Sequence, residues 1–185
     1  YLNDESPAVK AAAARGLGMH GSPSDVPLIL PLMKDPEKAV RLDAVKALQR
    51  LHNPVAIPSL IEALDAKKES EPDVRAEAAS ALAQYPDGKV LDALIAALGD
   101  DYFQVTHNAY VSLRTLTGNE ELPDERKPWV QWVAGNKEPF AHQRPYYYPV
   151  FYRDKVWTDY LPIVGGQVPN EQAAQPAGVA SVSGD

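Results

Sequence analysis

The stretch from Asp25 to Leu51, DVPLILPLMKDPEKAVRLDAVKALQRL, recurs along the chain. Its second half carries Val40, Ala44, Ala47, Leu48 and Leu51 at helical spacing, one apolar stripe on one helix. Val74, Ala78, Ala81, Leu82 and Tyr85 repeat that stripe 34 residues later, and Val105, Ala109, Ser112, Leu113 and Leu116 repeat it 31 residues after that. Moving backwards gives Val9, Ala13 and Leu17. The first half recurs too: Val26, Ile29, Leu30 and Met33 match Ile57, Leu60, Ile61 and Leu64, then Leu91, Leu94, Ile95 and Leu98. A unit of two short helices cannot bury its own apolar face. Stacked units can, so periodicity of this length predicts a solenoid. The mid-helix alanines Ala44, Ala78 and Ala109 fall where neighbouring helices must come close.

The segments DPEKAVRLDAVKALQRL and EPDVRAEAASALAQY place an acidic turn before Val-Arg and an Ala- and Leu-rich helix. Over residues 2–116 this resembles HEAT repeats, in particular the short bacterial variety called PBS-lyase HEAT-like repeats. The period is shorter than the roughly 40–47 residues of ordinary HEAT units. The resemblance implies an all-α right-handed superhelical array of about three and a half helix pairs. It also implies a charge ladder, in which an Asp of each turn pairs with the Arg after the Val. Asp35 and Arg41 fit this, and Asp4 and Lys10 fit with Lys for Arg. Arg75 follows a turn enlarged by KKESEP, which leaves its acidic partner open. Asp100 faces Thr106 rather than a cation, so the ladder is expected to stop there.

Read in order, residues 1–118 hold the repeats, 119–135 a capping helix and 136–185 an extended arm. Tyr1 and Leu2 read as the end of a first helix, so more chain is expected upstream. Helix pairs are expected at 25–34 and 37–51, at 55–66 and 72–85, and at 89–99 and 102–117. Ser24 or Asp25 is a plausible N-cap. Gly16-Leu17-Gly18 reads as a helix C-cap, and His20 and His52 as turn residues. Pro123 opens a helix over about 124–134, with Trp129 and Trp132 on the side that would cover the last repeat. Beyond Gly135 the helical period ends, and ten of the fifteen aromatics fall within 129–160. Four prolines in 136–164 favour extended backbone there. From Gly165 the composition is that of a segment disordered by itself.

The formal charge is −7, which disfavours a general binder of phosphate backbones. Lys10, Arg15, Arg41, Lys46 and Arg50 could form a local basic stripe, but the matching positions become Glu77, Ser80 and Gln84, then Asn108, Val111 and Thr115. No apolar run is long enough to span a membrane. Without Cys there is no thiolate metal site or thiol nucleophile, and the chain leans toward an extracytoplasmic compartment. The four His lack helical metal spacing, there is no Gly-x-Ser-x-Gly elbow and no phosphate loop, so neither metal nor cofactor is expected. The resemblance brings in enzymes as well. Deoxyhypusine hydroxylases use His-Glu motifs, and this chain has no His-Glu pair. Bilin lyases share the short repeat, but the repeat is not diagnostic of their activity.

The expectation is therefore a non-catalytic protein–protein scaffold, an assembly or linker subunit of a larger complex. Asp43, Lys46, Arg50, Glu77, Ser80, Gln84 and Asn108 would meet a protein partner on the concave helix face. Tyr146, Tyr147, Tyr148, Phe151, Tyr152, Trp157 and Tyr160 of the arm would clamp the same or a second partner, since Tyr and Trp bring large area at low rotamer cost. In the blander reading the arm folds back along the solenoid and fills a groove. A lyase-like enzyme or maturation factor is the alternative function, and self-association through the arm a third.

Overall fold

Three prolines shape the first unit. Pro23, Pro27 and Pro31 each sit in the first turn of a short segment, where the missing N–H costs nothing, but Pro31 also removes a donor that a continuous helix over 25–34 would use. The expected helix over 25–34 is accordingly split into a 3-10 turn at Pro23–Asp25, a single α-turn α2 (Val26–Ile29) and a second 3-10 turn at Leu30–Lys34. Ser22 caps the first 3-10 turn, its amide donating to Asp25 Oδ2 at 2.8 Å, and Asp25, one of the two expected caps, stands at the N-cap of α2 without a side-chain bond to the helix. The computed structural model describes residues 1–151 and 171–179. The other helices are α1 (Pro7–His20), α3 (Lys38–Arg50), α4 (Ile57–Leu64), α5 (Pro72–Leu82), α6 (Gly88–Ala97), α7 (Phe103–Thr117) and α8 (Arg126–Gly135). Two short strands follow, β1 (Tyr148–Phe151) and β2 (Glu171–Ala174), paired antiparallel.

The second helices of the units, α1, α3, α5 and α7, pack in sequence on one another, and the first helices stack beside them. The chain is an all-α solenoid. The stripes of α3, α5 and α7 are buried along their whole length. In α1 the stripe Val9, Ala13 and Leu17 is only half-buried, and Ala11, Ala14 and Gly18 form the buried edge instead. This helix packs chiefly on α3, so the face toward α3 is the one that closes. Gly18 is therefore no C-cap. It lies inside α1, where an added Cβ would stand 2.7 Å from the Ala47 Cα. It is a point of close helix approach.

The charge ladder exists, but each rung crosses to the next unit. Lys10 bonds Asp35. Arg41 holds Glu69 with two bonds, at 2.7 and 2.8 Å. Arg75 holds Asp100 likewise, at 2.8 and 3.1 Å. Within its own unit each Arg reaches only carbonyls: Arg41 donates to Asp35 and Pro36, and Arg75 to Glu69 and Ser70. The expected Asp35–Arg41 pairing is thus corrected to a backbone contact. The reason lies in the turn. Each acid bends back to accept the amide two residues on, as in Asp35 to Glu37, Glu69 to Glu71 and Asp100 to Tyr102. The remaining acceptor positions are met by the preceding unit's cation. The enlarged turn before Arg75 keeps this geometry with Glu in place of Asp.

After α7 the left-handed Gly118 (φ 67°) ends the helix. Helix α8 then packs on α6. Trp129 is fully buried, with its Nε1–H donating to the Pro123 carbonyl at 2.8 Å. Its ring meets Tyr110 and Trp132 edge-on, and the Tyr110 hydroxyl donates to the Leu122 carbonyl.

Candidate interaction site

The arm returns along the chain's own second helices. The Arg144 amide donates to the Thr115 carbonyl at 2.8 Å, and the Arg144 side chain pairs with Glu120. The His142 carbonyl occupies the place where a Cβ on Gly118 would stand, so only glycine fits there. Further along, Pro145, Tyr146, Tyr147 and Pro149 share one cleft with Gln49, Ser80, Val111 and Thr115, of about 300 Å³. The Tyr146 hydroxyl is buried, with the Gln49 side chain as its polar neighbour. The Arg50 guanidinium stands 5.6 Å from the centroid of the Tyr148 ring.

The last described segment closes on α3. The Ala177 amide donates to the Arg50 carbonyl and the His52 amide to the Ala177 carbonyl, both at 2.8 Å. Gly178 takes φ 94° against Pro23, where a Cβ would come within 2.5 Å of the proline ring. The end of a helix leaves its last carbonyls unpaired. Here the Gln84 amide takes those of Leu48 and Gln49, at 3.5 and 3.3 Å, and Ala177 takes that of Arg50. The segment expected to be disordered by composition thus contributes β2 and a helix-capping contact at 171–179.

The predicted surface residues are distributed unevenly. Asp43, Lys46, Arg50, Glu77, Ser80 and Asn108 are half-buried along the second helices. Asp43 lies 3.4 Å from Arg15, and Asn108 donates to the Ala76 carbonyl of the neighbouring helix. Burial pushes the Glu77 carboxyl up, against the lowering pull of Lys46 and Arg50. Gln84 was expected to face a partner but is only 4% exposed. Its carbonyl oxygen meets His52 Nδ1 at 3.0 Å, and its amide nitrogen is spent on α3 and on Ala81. It is a structural residue. Its neighbour Tyr85 does the same work, since its hydroxyl bonds both backbone groups of Asn53 and its ring stacks on His52. Burial raises the Tyr85 hydroxyl to about 12.

In the arm, Tyr146 and Tyr148 are half-buried on the chain itself, whereas Tyr147 is 54% exposed. Phe151 contributes backbone to β1. Tyr152, Trp157 and Tyr160 lie outside the described residues. Sequence reasoning missed Val111, 44% exposed beside Tyr147 in the shared cleft. Its signal was an apolar residue at a position that is polar in the earlier units. It also missed Phe103, 77% exposed and stacked on His107.

Among the described residues no helix is long and apolar enough to cross a membrane, and no three metal-ligating side chains converge. A family model for HEAT repeats matches residues 1–71, and one for the PBS lyase HEAT-like repeat matches residues 74–100. No curated protein matches the chain.

Proposed function

Since this chain is a HEAT-repeat protein of the PBS-lyase HEAT-like type, we propose that it is a non-catalytic scaffold, serving as an assembly or linker subunit of a larger complex. Repeats of this kind generally act as protein-interaction surfaces, and function resides in the site rather than the fold. The observation that carries the reading is the half-docked arm. Tyr146 and Tyr148 pin it to the second helices, and Tyr147 is left outward next to Val111. Arm and helices then offer one composite surface instead of two separate ones. Anchoring in cis lowers the ordering cost that a free arm would meet on binding.

The test is capture from native lysate with three baits: the full chain, Tyr147→Ala and residues 1–135. A partner held by the full chain and lost from the other two supports the composite surface. A partner retained by 1–135 moves binding to the helices alone. No partner with any bait would overturn the scaffold. The lyase-like alternative rests on the match at residues 74–100, and turnover of a tetrapyrrole thioether by the purified chain would establish it.

A further inference from the structure

Of the five cations in the basic stripe, two are consumed by the ladder: Lys10 by Asp35 and Arg41 by Glu69. The other three gather in one place. Arg15 from α1 and Lys46 and Arg50 from α3 line a single cleft of about 190 Å³ with Asp43. Three cations to one acid runs against a chain of net charge −7. Asp43 lies 3.4 Å from Arg15, whose side chain stays 55% exposed. Among the described residues neither Lys46 nor Arg50 has a carboxylate within ion-pair distance. The next acid along the face is Glu77. The arm also holds the Arg50 guanidinium over the Tyr148 ring, which orders its fork before any ligand arrives.

We propose that this cleft binds a carboxylate-rich peptide segment of a protein partner. The assignment rests on the scaffold reading and names the partner's chemistry. A planar guanidinium and a lysine in one cleft match carboxylates in geometry and charge. A nucleic acid is the poorer fit. Its backbone needs cations that continue along the face, and here they give way to Glu77 and Ser80 on α5, then Asn108 and Val111 on α7. That same direction leads to exposed Val111 and Tyr147, which suit the apolar side chains of a peptide.

The test uses the full chain and a fluorescein-labelled peptide alternating Glu with Leu, read by anisotropy. Saturable binding is expected, weakened at least about tenfold in the double variant Lys46→Glu, Arg50→Glu. The double variant Lys34→Glu, Lys67→Glu changes net charge equally, away from the cleft, and should bind nearly as the parent does. Arg50→Lys keeps the charge and loses the fork, and an intermediate loss is expected from it. Inorganic phosphate and an oligothymidylate of matched charge are the competitors, and neither should displace the peptide at comparable charge concentration. The site is overturned by absent binding, by equal loss in both double variants, or by displacement with phosphate or oligothymidylate. Should Lys46→Glu, Arg50→Glu still capture the lysate partner undiminished, this site falls while the scaffold stands. A urea melt of each variant separates lost binding from lost folding.

Discussion

Arg75 and Arg15 show how far one ion pair can differ from another. Arg75 and Asp100 are each 4% exposed, bonded twice to one another, and the guanidinium also takes two carbonyls. Removing one partner leaves a buried charge. Arg75→Met should therefore cost about 3 kcal/mol, read as a fall in the urea midpoint. Arg15→Met, at a pair with one side chain 55% exposed, should cost under about 1 kcal/mol. Equal losses would mean that burial does not set the strength of a rung. The ladder also predicts a pH dependence. At Asp35 and Glu69 burial alone would push the carboxyls up. The bonds from Lys10 and the Glu37 amide at Asp35, and from Arg41 and the Glu71 amide at Glu69, overcome this and hold both below the ordinary range. On acidification the unfolded chain binds protons first, so stability rises with pH across that interval. The contribution is complete above the unfolded values and is lost as pH falls through the lower, folded ones. Glu77, whose carboxyl is raised, acts in the opposite sense. Urea midpoints should hold near neutrality and drop below about pH 4, and Glu69→Gln should flatten the drop. An unchanged slope in Glu69→Gln would remove the ladder as its cause.

Helices in this fold meet through small residues and end on borrowed partners. Between α1 and α3 the approach is set by Gly18 against Ala47. Gly18→Ala must push the helices apart and should cost about 1–3 kcal/mol, seen in thermal or urea melts. A neutral result would show that α1 can slide freely on α3. At the other end α8 closes the last unit through Trp129, fully buried against Tyr110 and Trp132. Trp129→Ala should cost about 3–5 kcal/mol and expose the α7 face, checked by melting and by binding of an apolar dye. The periodicity announced α3 and α7 to within a residue at each end, because each stripe faces one neighbour on a regular helix, whereas α5 ends at Leu82, three residues before the expected 85. It misread 25–34, where Pro31 interrupts an apolar pattern that is otherwise helical.

Across the assembled chain the arm is the part that ties distant units together. It touches the end of α7 at Thr115 and Gly118, and the end of α3 at Arg50 and His52. With φ 94° and Pro23 against it, Gly178 leaves no room for a side chain in the return segment. Gly178→Val should release it. The expected sign is faster hydrogen exchange at the His52 amide, with the helical circular dichroism retained. Loss of the helical signal would instead make the arm part of the repeat core.

The apolar stripes, the cations and the acidic turns were all legible in the linear chain, since helical spacing and turn chemistry act over a few residues. Asp43, Lys46 and Arg50 share the flank of α3 beside its stripe, where the structure leaves them half-buried. What the chain could not show was which partner each polar group would choose. Arg41 chose Glu69 of the next unit over Asp35 of its own, because the acid's free oxygens point across the stack. Gln84 turned inward because the carbonyls at the end of α3 had no other donor. The arm settled on its own helices because 177 and 144 could satisfy backbone groups left over by α3 and α7. Such pairings join residues from 28 positions apart, as Arg41 and Glu69, to 127 apart, as Arg50 and Ala177. Local pattern carries no information about them, and only packing brings the groups within reach.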